Sequence, residues 1–147
     1  MNLAQLLVGC ARRLPEQPAI AVGDRVLLSY GNLSYRVARL AAGMVSKFEL
    51  KPGERVALAM KNCPEYWEVL FACWHAGLTA VPMNAKLHPK EFEYILGDSG
   101  AKLCFLTPGI ECSFANSVLT DSKDYENLKS EPQPPAESKP DDPAWLF

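Results

Sequence analysis

Histidine is scarce in this sequence, at two residues in 147, and charge of one sign does not dominate: the formal net charge is −2. A chain so near neutrality offers no electrostatic field for nucleic acid or an anionic membrane. His75 and His88 stand in no H-E-x-x-H frame, and no G-x-S-x-G occurs, so neither a zinc enzyme nor a serine hydrolase is supported. The common phosphate-cradling patterns, G-x-x-x-x-G-K-[ST] and G-x-G-x-x-G, are also missing. The cysteines include no C-x-x-C pair; Cys10, Cys63, Cys73, Cys104 and Cys112 stand mostly in apolar runs and read as reduced residues of a cytoplasmic protein. Long apolar runs are lacking too. The best, Val69 to Met83, contains His75 and is broken by Gly77 and Pro82, too short and interrupted to span a bilayer. Arg12 and Arg13 follow the first apolar stretch instead of preceding it, which argues against a secretory leader.

What the chain does contain is a stretch, Arg55 to Leu106, that reads strand, helix, strand, helix, strand. The runs Val56–Met60, Thr79–Pro82 and Leu103–Leu106 lack polar alternation, which suits strands covered on both faces. Between the first two, Tyr66, Val69, Leu70, Cys73 and Gly77 recur at helical steps, with Asn62 or Cys63 as cap and Pro64 in the opening turn. Between the second and third, Pro89 opens a helix and Gly100 closes it, with Phe92, Ile95, Leu96 and Ser99 on one face. Crossovers of this length return the chain to a parallel neighbour, so the fold class is α/β with a parallel sheet flanked by helices. Ligands of such sheets lie beyond the carboxyl ends of the strands. Those ends carry Lys61-Asn62, Asn84-Ala85-Lys86 and Thr107, two ammonium groups and two amides that suit an anion. The plainer reading makes Asn62 a helix cap, Asn84 a turn residue and both lysines solvated surface.

Upstream, a helix with the apolar face Leu3, Leu6, Leu7, Cys10, Ala11 and Leu14 begins at Asn2 and stops at Pro15. Ala19–Val22 and Val26–Leu28 flank Gly23-Asp24-Arg25 as a β-hairpin. Ser29 then caps a long helix whose face is Leu33, Val37, Leu40, Ala41, Met44, Val45 and Phe48. His75, in an apolar helix without an acid nearby, reads as a packed core histidine, and His88 helps to start the helix at Pro89. A short helix within Asp121–Lys129 would turn Tyr125 and Leu128 inward.

The run CPEYWEVLFACWHAGLTAVPMNAKLHPKEFEYILGDSGAKL resembles the early segment of the AMP-forming adenylating enzymes, most of all bacterial acyl-CoA synthetases. The likeness rests on the order and spacing of Ala76-Gly77, Ala80-Val81-Pro82, the Asn84-x-basic-Leu87 turn, Glu91 to Asp98 and Ala101-Lys102-Leu103, with Leu28-Ser29-Tyr30, Leu33 and Leu40-Ala41 upstream. It implies the amino-terminal subdomain of the adenylate-forming ligase fold. It also implies a parent that activates a carboxylic, in the first place fatty, acid with ATP and Mg to an acyl-adenylate and passes the acyl group to coenzyme A. Lys86 occupies the basic site of the Asn-x-basic-Leu turn, a position that in some family members reaches a phosphate of coenzyme A. Lysine keeps the charge of the more common arginine there but loses its two-pronged geometry.

Residues 130–143, SEPQPPAESKPDDP, read as a proline-rich acidic linker after a subdomain over 1–129. No basic anchor flanks a P-x-x-P core that would make them a ligand for a partner domain. Residues 144–147, Ala-Trp-Leu-Phe, read as the start of a strand cut short. The resemblance places the family's phosphate-wrapping loop, its acyl pocket and its mobile carboxyl-terminal domain beyond Phe147. No catalytic residue and no metal ligand is therefore assigned, no bound cofactor is expected, and the fragment is expected to be inactive without the rest of the ligase chain. Two other readings remain: a non-catalytic binding or assembly module derived from such a ligase, and an unrelated flavodoxin-like binder with its ligand near Lys61 and Lys86.

Overall fold

The computed structural model describes residues Met1–Phe147. Along the chain run α1 (Ala4–Arg13), β1 (Pro18–Val22), β2 (Arg25–Ser29), α2 (Tyr30–Phe48), β3 (Arg55–Ala59), α3 (Pro64–His75), β4 (Thr79–Met83), α4 (Pro89–Ser99), β5 (Leu103–Leu106), β6 (Ser117–Leu119) and α5 (Lys123–Leu128). The main sheet is four-stranded in the order β4-β3-β5-β6, and every pair in it is parallel. Strand β3 is internal, with Val56 opposite Ala80 on one side and Leu103 on the other. β1 and β2 form a separate antiparallel hairpin with Val22 opposite Arg25. Strand β6 lies outside the sequence expectation: three residues beginning with a serine are too short for any periodicity to show.

Strand alternation divides the apolar residues between two cores. Val56, Leu58, Ala80, Leu103, Phe105 and Val118 face a core built with α1, α2, α3 and α5. Ala57, Ala59, Val81, Met83, Cys104 and Leu106 face Phe92 and Leu96 of α4. Because successive side chains point to opposite faces, a run with no polar residue is what a sheet covered on both sides requires.

Helix ends follow their local chemistry. Ser29 Oγ accepts from Asn32 N at 3.2 Å, as the capping pattern predicts. His88 caps α4: its side chain accepts from Lys90 N, while Glu91 accepts from His88 N at 2.8 Å. Gly100 ends that helix at φ 63, where a side chain would be strained. At α3 Cys63 holds the cap position without a capping side-chain bond, so Pro64 and the packing of the helix set its start.

Two expected faces are narrower than their apolar pattern. On α1 only Ala4 and Leu7 are buried, while Leu6 and Leu14 stand 57% and 51% exposed. The first helix packs chiefly against α2 and α3, and beside β1 its outer apolar arc borders an open groove instead of a covering element. On α2 Val45 is also exposed, at the rim of a groove beside the chain that follows α5. Asn2 does more than begin α1. Its Oδ1 accepts from Ala4 N at 2.9 Å, and its Nδ2 donates to Trp74 O at 2.6 Å and to Ala136 O at 2.9 Å.

From Ser130 the chain runs without helix or strand across the carboxyl end of α3. Ala136 N donates to His75 O at 2.7 Å, and Thr79 Oγ1 donates to Pro143 O at 3.0 Å. Trp145 then bridges Ala80 in parallel along the free edge of β4, through Ala80 N to Ala144 O and Leu146 N to Ala80 O. The edge suits β4, whose Pro82 has no N–H to offer a further partner.

Candidate functional site

The carboxyl ends of β3 and β4 open into a cleft of about 420 Å³ lined by Met60, Lys61, Asn62, Tyr66, Met83, Asn84, Ala85 and Lys86. Ala59 lies opposite Met83, so the residues that follow each strand emerge side by side. This brings together five of the six residues that the sequence places at the sheet's carboxyl edge. Thr107, the sixth, is buried, and its Oγ1 accepts from Lys61 N at 2.9 Å. Thr107 thus fixes the exit of β3 and is not itself presented to a ligand.

Asn84 Oδ1 accepts from Lys86 N at 2.9 Å and Leu87 N donates to Asn84 O at 3.2 Å. The turn-forming reading of Asn84 therefore holds, and its consequence is to fix the backbone that carries Lys86. Lys86 and Lys61 are both exposed and enter none of the ion pairs of the molecule. No carboxylate lines the cleft. Tyr66, half-buried on its wall, has its phenol pushed up by burial and so stays neutral and able to donate.

The histidines take structural places. His75 is buried and its Nε2 donates to Gln133 O at 2.7 Å; the carbonyl can only accept, which fixes the proton on that nitrogen. Burial holds its pKa below the usual histidine value, with the Gln133 bond opposing part of the shift. No three His, Cys, Asp or Glu side chains converge in the chain. The five cysteines are all free, with Cys73 and Cys104 buried.

One polar centre has no counterpart in the sequence reading. Glu68, on α3 and only 2% exposed, accepts from Arg36 of α2 and from Tyr125 OH of α5 at 2.8 Å, while Lys129 Nζ stands 3.3 Å away. It sits within the core, and its partners consume it structurally. The only signal in the sequence is a glutamate among Val69, Leu70 and Phe71, which helical periodicity alone treats as a surface position.

Residues 9–147 match the model of the AMP-binding enzyme family. A feruloyl-CoA synthase of Amycolatopsis sp is 44% identical over 98 residues, 67% of this chain and 20% of that protein. An oxalate-CoA ligase of Arabidopsis thaliana is 36% identical over 102 residues, 69% of this chain and 20% of that protein. Among solved structures, a benzoate CoA ligase from Burkholderia xenovorans LB400 shares the fold with a TM-score of 0.84 at 20% identity, over 99% of this chain and 32% of that one. A Mycobacterium tuberculosis fatty acyl CoA synthetase does so with a TM-score of 0.81 at 25% identity, over 98% of this chain and 32% of that one. The chain spans about 20% of the length of these curated relatives. Since the family match extends over nearly all of the chain and the parallel sheet with its hairpin is shared with solved ligases, the chain belongs to the AMP-binding enzyme family and folds as the amino-terminal subdomain of the adenylate-forming ligases.

Proposed function

We propose that this chain is the amino-terminal part of an acyl-CoA ligase acting on a carboxylic acid, a fatty acid in the first instance. In that reaction the carboxylate oxygen attacks the α-phosphorus of ATP, giving an acyl-adenylate and pyrophosphate. The thiol of coenzyme A then attacks the acyl carbon, AMP leaves with the bonding pair, and the thiol proton goes to solvent. Relatives whose names are CoA ligases support the reaction class. The observation that carries the reading is the uncompensated cleft of Lys61, Asn62, Asn84 and Lys86 at the carboxyl edge of the family's sheet.

In this reading Lys86 holds a phosphate of the coenzyme A nucleotide. Its backbone is set by Asn84, its ammonium has no acid partner, and it stands in the open cleft. Binding of the ATP triphosphate and the Mg²⁺ that neutralises it falls to residues outside this chain, as does the acyl pocket. Residues 1–129 serve as the subdomain, 130–143 as a connector and 144–147 as the onset of a strand, a division supported by the pairing of Trp145 beside β4. The buried free thiols Cys73 and Cys104 support a reducing, cytoplasmic location. No helix is long and apolar enough to cross a membrane.

Acid-dependent pyrophosphate release and acyl-CoA formation, measured on the 147-residue chain and on a chain extended to the relatives' full length, test the proposal. Turnover is expected from the extended chain alone. In it, Lys86→Gln should raise KM for coenzyme A and leave KM for the acid unchanged. Failure of the extended chain on a panel of aliphatic and aromatic acids, or turnover by the 147-residue chain alone, overturns the reading.

A further inference from the structure

A groove of about 560 Å³ runs between the end of α2 and the chain that follows α5. Leu50 and Pro52, which lead into β3, belong to its lining, so it lies at the amino end of that strand, opposite the cleft of Lys86. Val45, Leu50, Pro52, Ala76 and Pro134 make its surface mainly apolar, and a space of that size suits a small molecule. Its charge has one sign. The nineteen-residue α2 ends here with Val45 and Ser46 of its last turn in the lining, and the twelve-residue α3 ends here with His75 and Ala76. Both bring the negative end of a helix dipole. At α2, neither Glu49 nor Leu50 donates a capping hydrogen bond back to the last carbonyls. Glu131 adds a full negative charge and enters none of the ion pairs of the molecule. No lysine or arginine lines the groove; Lys47, the base in the last turn of α2, is exposed outside it. Arg39 reaches the same segment but donates to the carbonyls of Ser130 and Lys129. His75 brings no opposing charge, because burial holds it neutral. A carboxylate entering this groove would be repelled, and a neutral molecule would leave Glu131 and the two helix ends unmatched.

We propose that this groove binds a small organic cation, an ammonium on an apolar body of arylalkylamine size, with the body against Val45, Leu50 and Pro134 and the ammonium toward Glu131 and the end of α2. The site is independent of the ligase reading, since none of its residues lines the cleft that carries Lys86.

The test is a titration of the 147-residue chain, followed by amide chemical shifts at neutral pH, with 2-phenylethylamine, 2-phenylethanol and 3-phenylpropionate, probes of similar shape and different charge. The amine should bind about tenfold tighter than the alcohol, and the carboxylate weakest, with the largest shifts at Ser46, Ala76 and Gln133. Glu131→Gln should weaken the amine about fivefold, the upper range for one solvated ion pair, and leave the alcohol unchanged. Val45→Ala should weaken amine and alcohol alike, about threefold, through lost apolar contact. Glu137→Gln, which removes an exposed acid of the same segment outside the lining, should change neither. Equal affinity for amine and alcohol, or equal losses in Glu131→Gln and Glu137→Gln, overturns the assignment of a cation. Saturable shifts confined to other residues, or none with any probe, overturn the site itself.

Discussion

Arg36 and Glu68 meet across the α2–α3 interface in a two-pronged pair, Nε to Oε2 at 2.6 Å and Nη2 to Oε1 at 3.3 Å. Tyr125 OH donates to the same carboxylate at 2.8 Å, and Lys129 Nζ approaches it at 3.3 Å while lying 4.1 Å from the centroid of the Tyr125 ring. Lys129 is held by charge and by the ring face rather than by an aligned hydrogen bond. The cluster joins α2, α3 and α5, three helices far apart in sequence, on one face of the sheet. Glu68 and Lys129 need their partners, since either left alone would be a buried and unmatched charge.

Glu68→Ala leaves Lys129 and Arg36 only the exposed Glu126 as an acid partner and should cost about 3 kcal/mol. Arg36→Ala should cost less, on the order of 1–2 kcal/mol, because the arginine is partly solvated and Lys129 still serves the carboxylate. A double-mutant cycle by urea denaturation reads the coupling between them; additive losses would show that the pair is not the clasp.

Gly43 and Gly97 are both helical glycines with opposite expectations. A Cβ on Gly43 would stand 1.6 Å from Leu128 O, where the backbone at the end of α5 crosses α2. Gly43→Ala must therefore push α5 away, at about 1–3 kcal/mol. Nothing lies within 4 Å of a Cβ on Gly97 in α4, so Gly97→Ala should stabilise by roughly 0.5–1 kcal/mol through helix propensity alone. Thermal melts of the two variants should move in opposite directions.

Acid sensitivity has a named source in His75. Burial lowers its pKa in the folded chain below the ordinary 6.5, so the unfolded chain binds the extra proton first as pH falls. Stability from this group is full above pH 6.5 and declines as pH drops from there toward the folded pKa. Glu126 adds a second, lower window. Partial desolvation works against its charged form, but Lys129 and Arg36 outweigh it and hold the carboxyl below its usual 4.5, so its stabilisation fades only as pH falls beneath that value. Histidine ring shifts followed against pH should give His75 a midpoint below 6.5; a midpoint at or above 6.5 would contradict the burial argument.

The thiols should sort by burial. Cys104 is pushed up to about 12 and Cys73 higher still, chiefly by desolvation, whereas Cys10, Cys63 and Cys112 are partly exposed. A disulfide reagent at pH 8 should label no more than these three in the native chain and all five in denaturant. Rapid native labelling of Cys104 would mean that β5 is not covered as described.

Much of this protein is written in short-range pattern. The unalternating runs at Val56, Thr79 and Leu103, the Ser29 cap, and the Pro89 and Gly100 boundaries reflect interactions within a few residues, which is the range over which periodicity and capping act. The cleft was legible for the same reason, because the carboxyl ends of parallel strands follow directly from locating the strands, and Lys61, Asn62, Asn84 and Lys86 stand there. Tertiary structure alone decided that β3 lies between β4 and β5, that Ser117–Leu119 is a strand, and that Thr107 is a buried tie instead of a ligand contact. It also decided that Leu6 and Leu14 stay in solvent and that Glu68 lies inside, since burial depends on which distant segment arrives to cover a face. Arg36, Glu68, Tyr125 and Lys129 find one another across the whole chain, and no spacing within a helix or strand encodes a partner that far away.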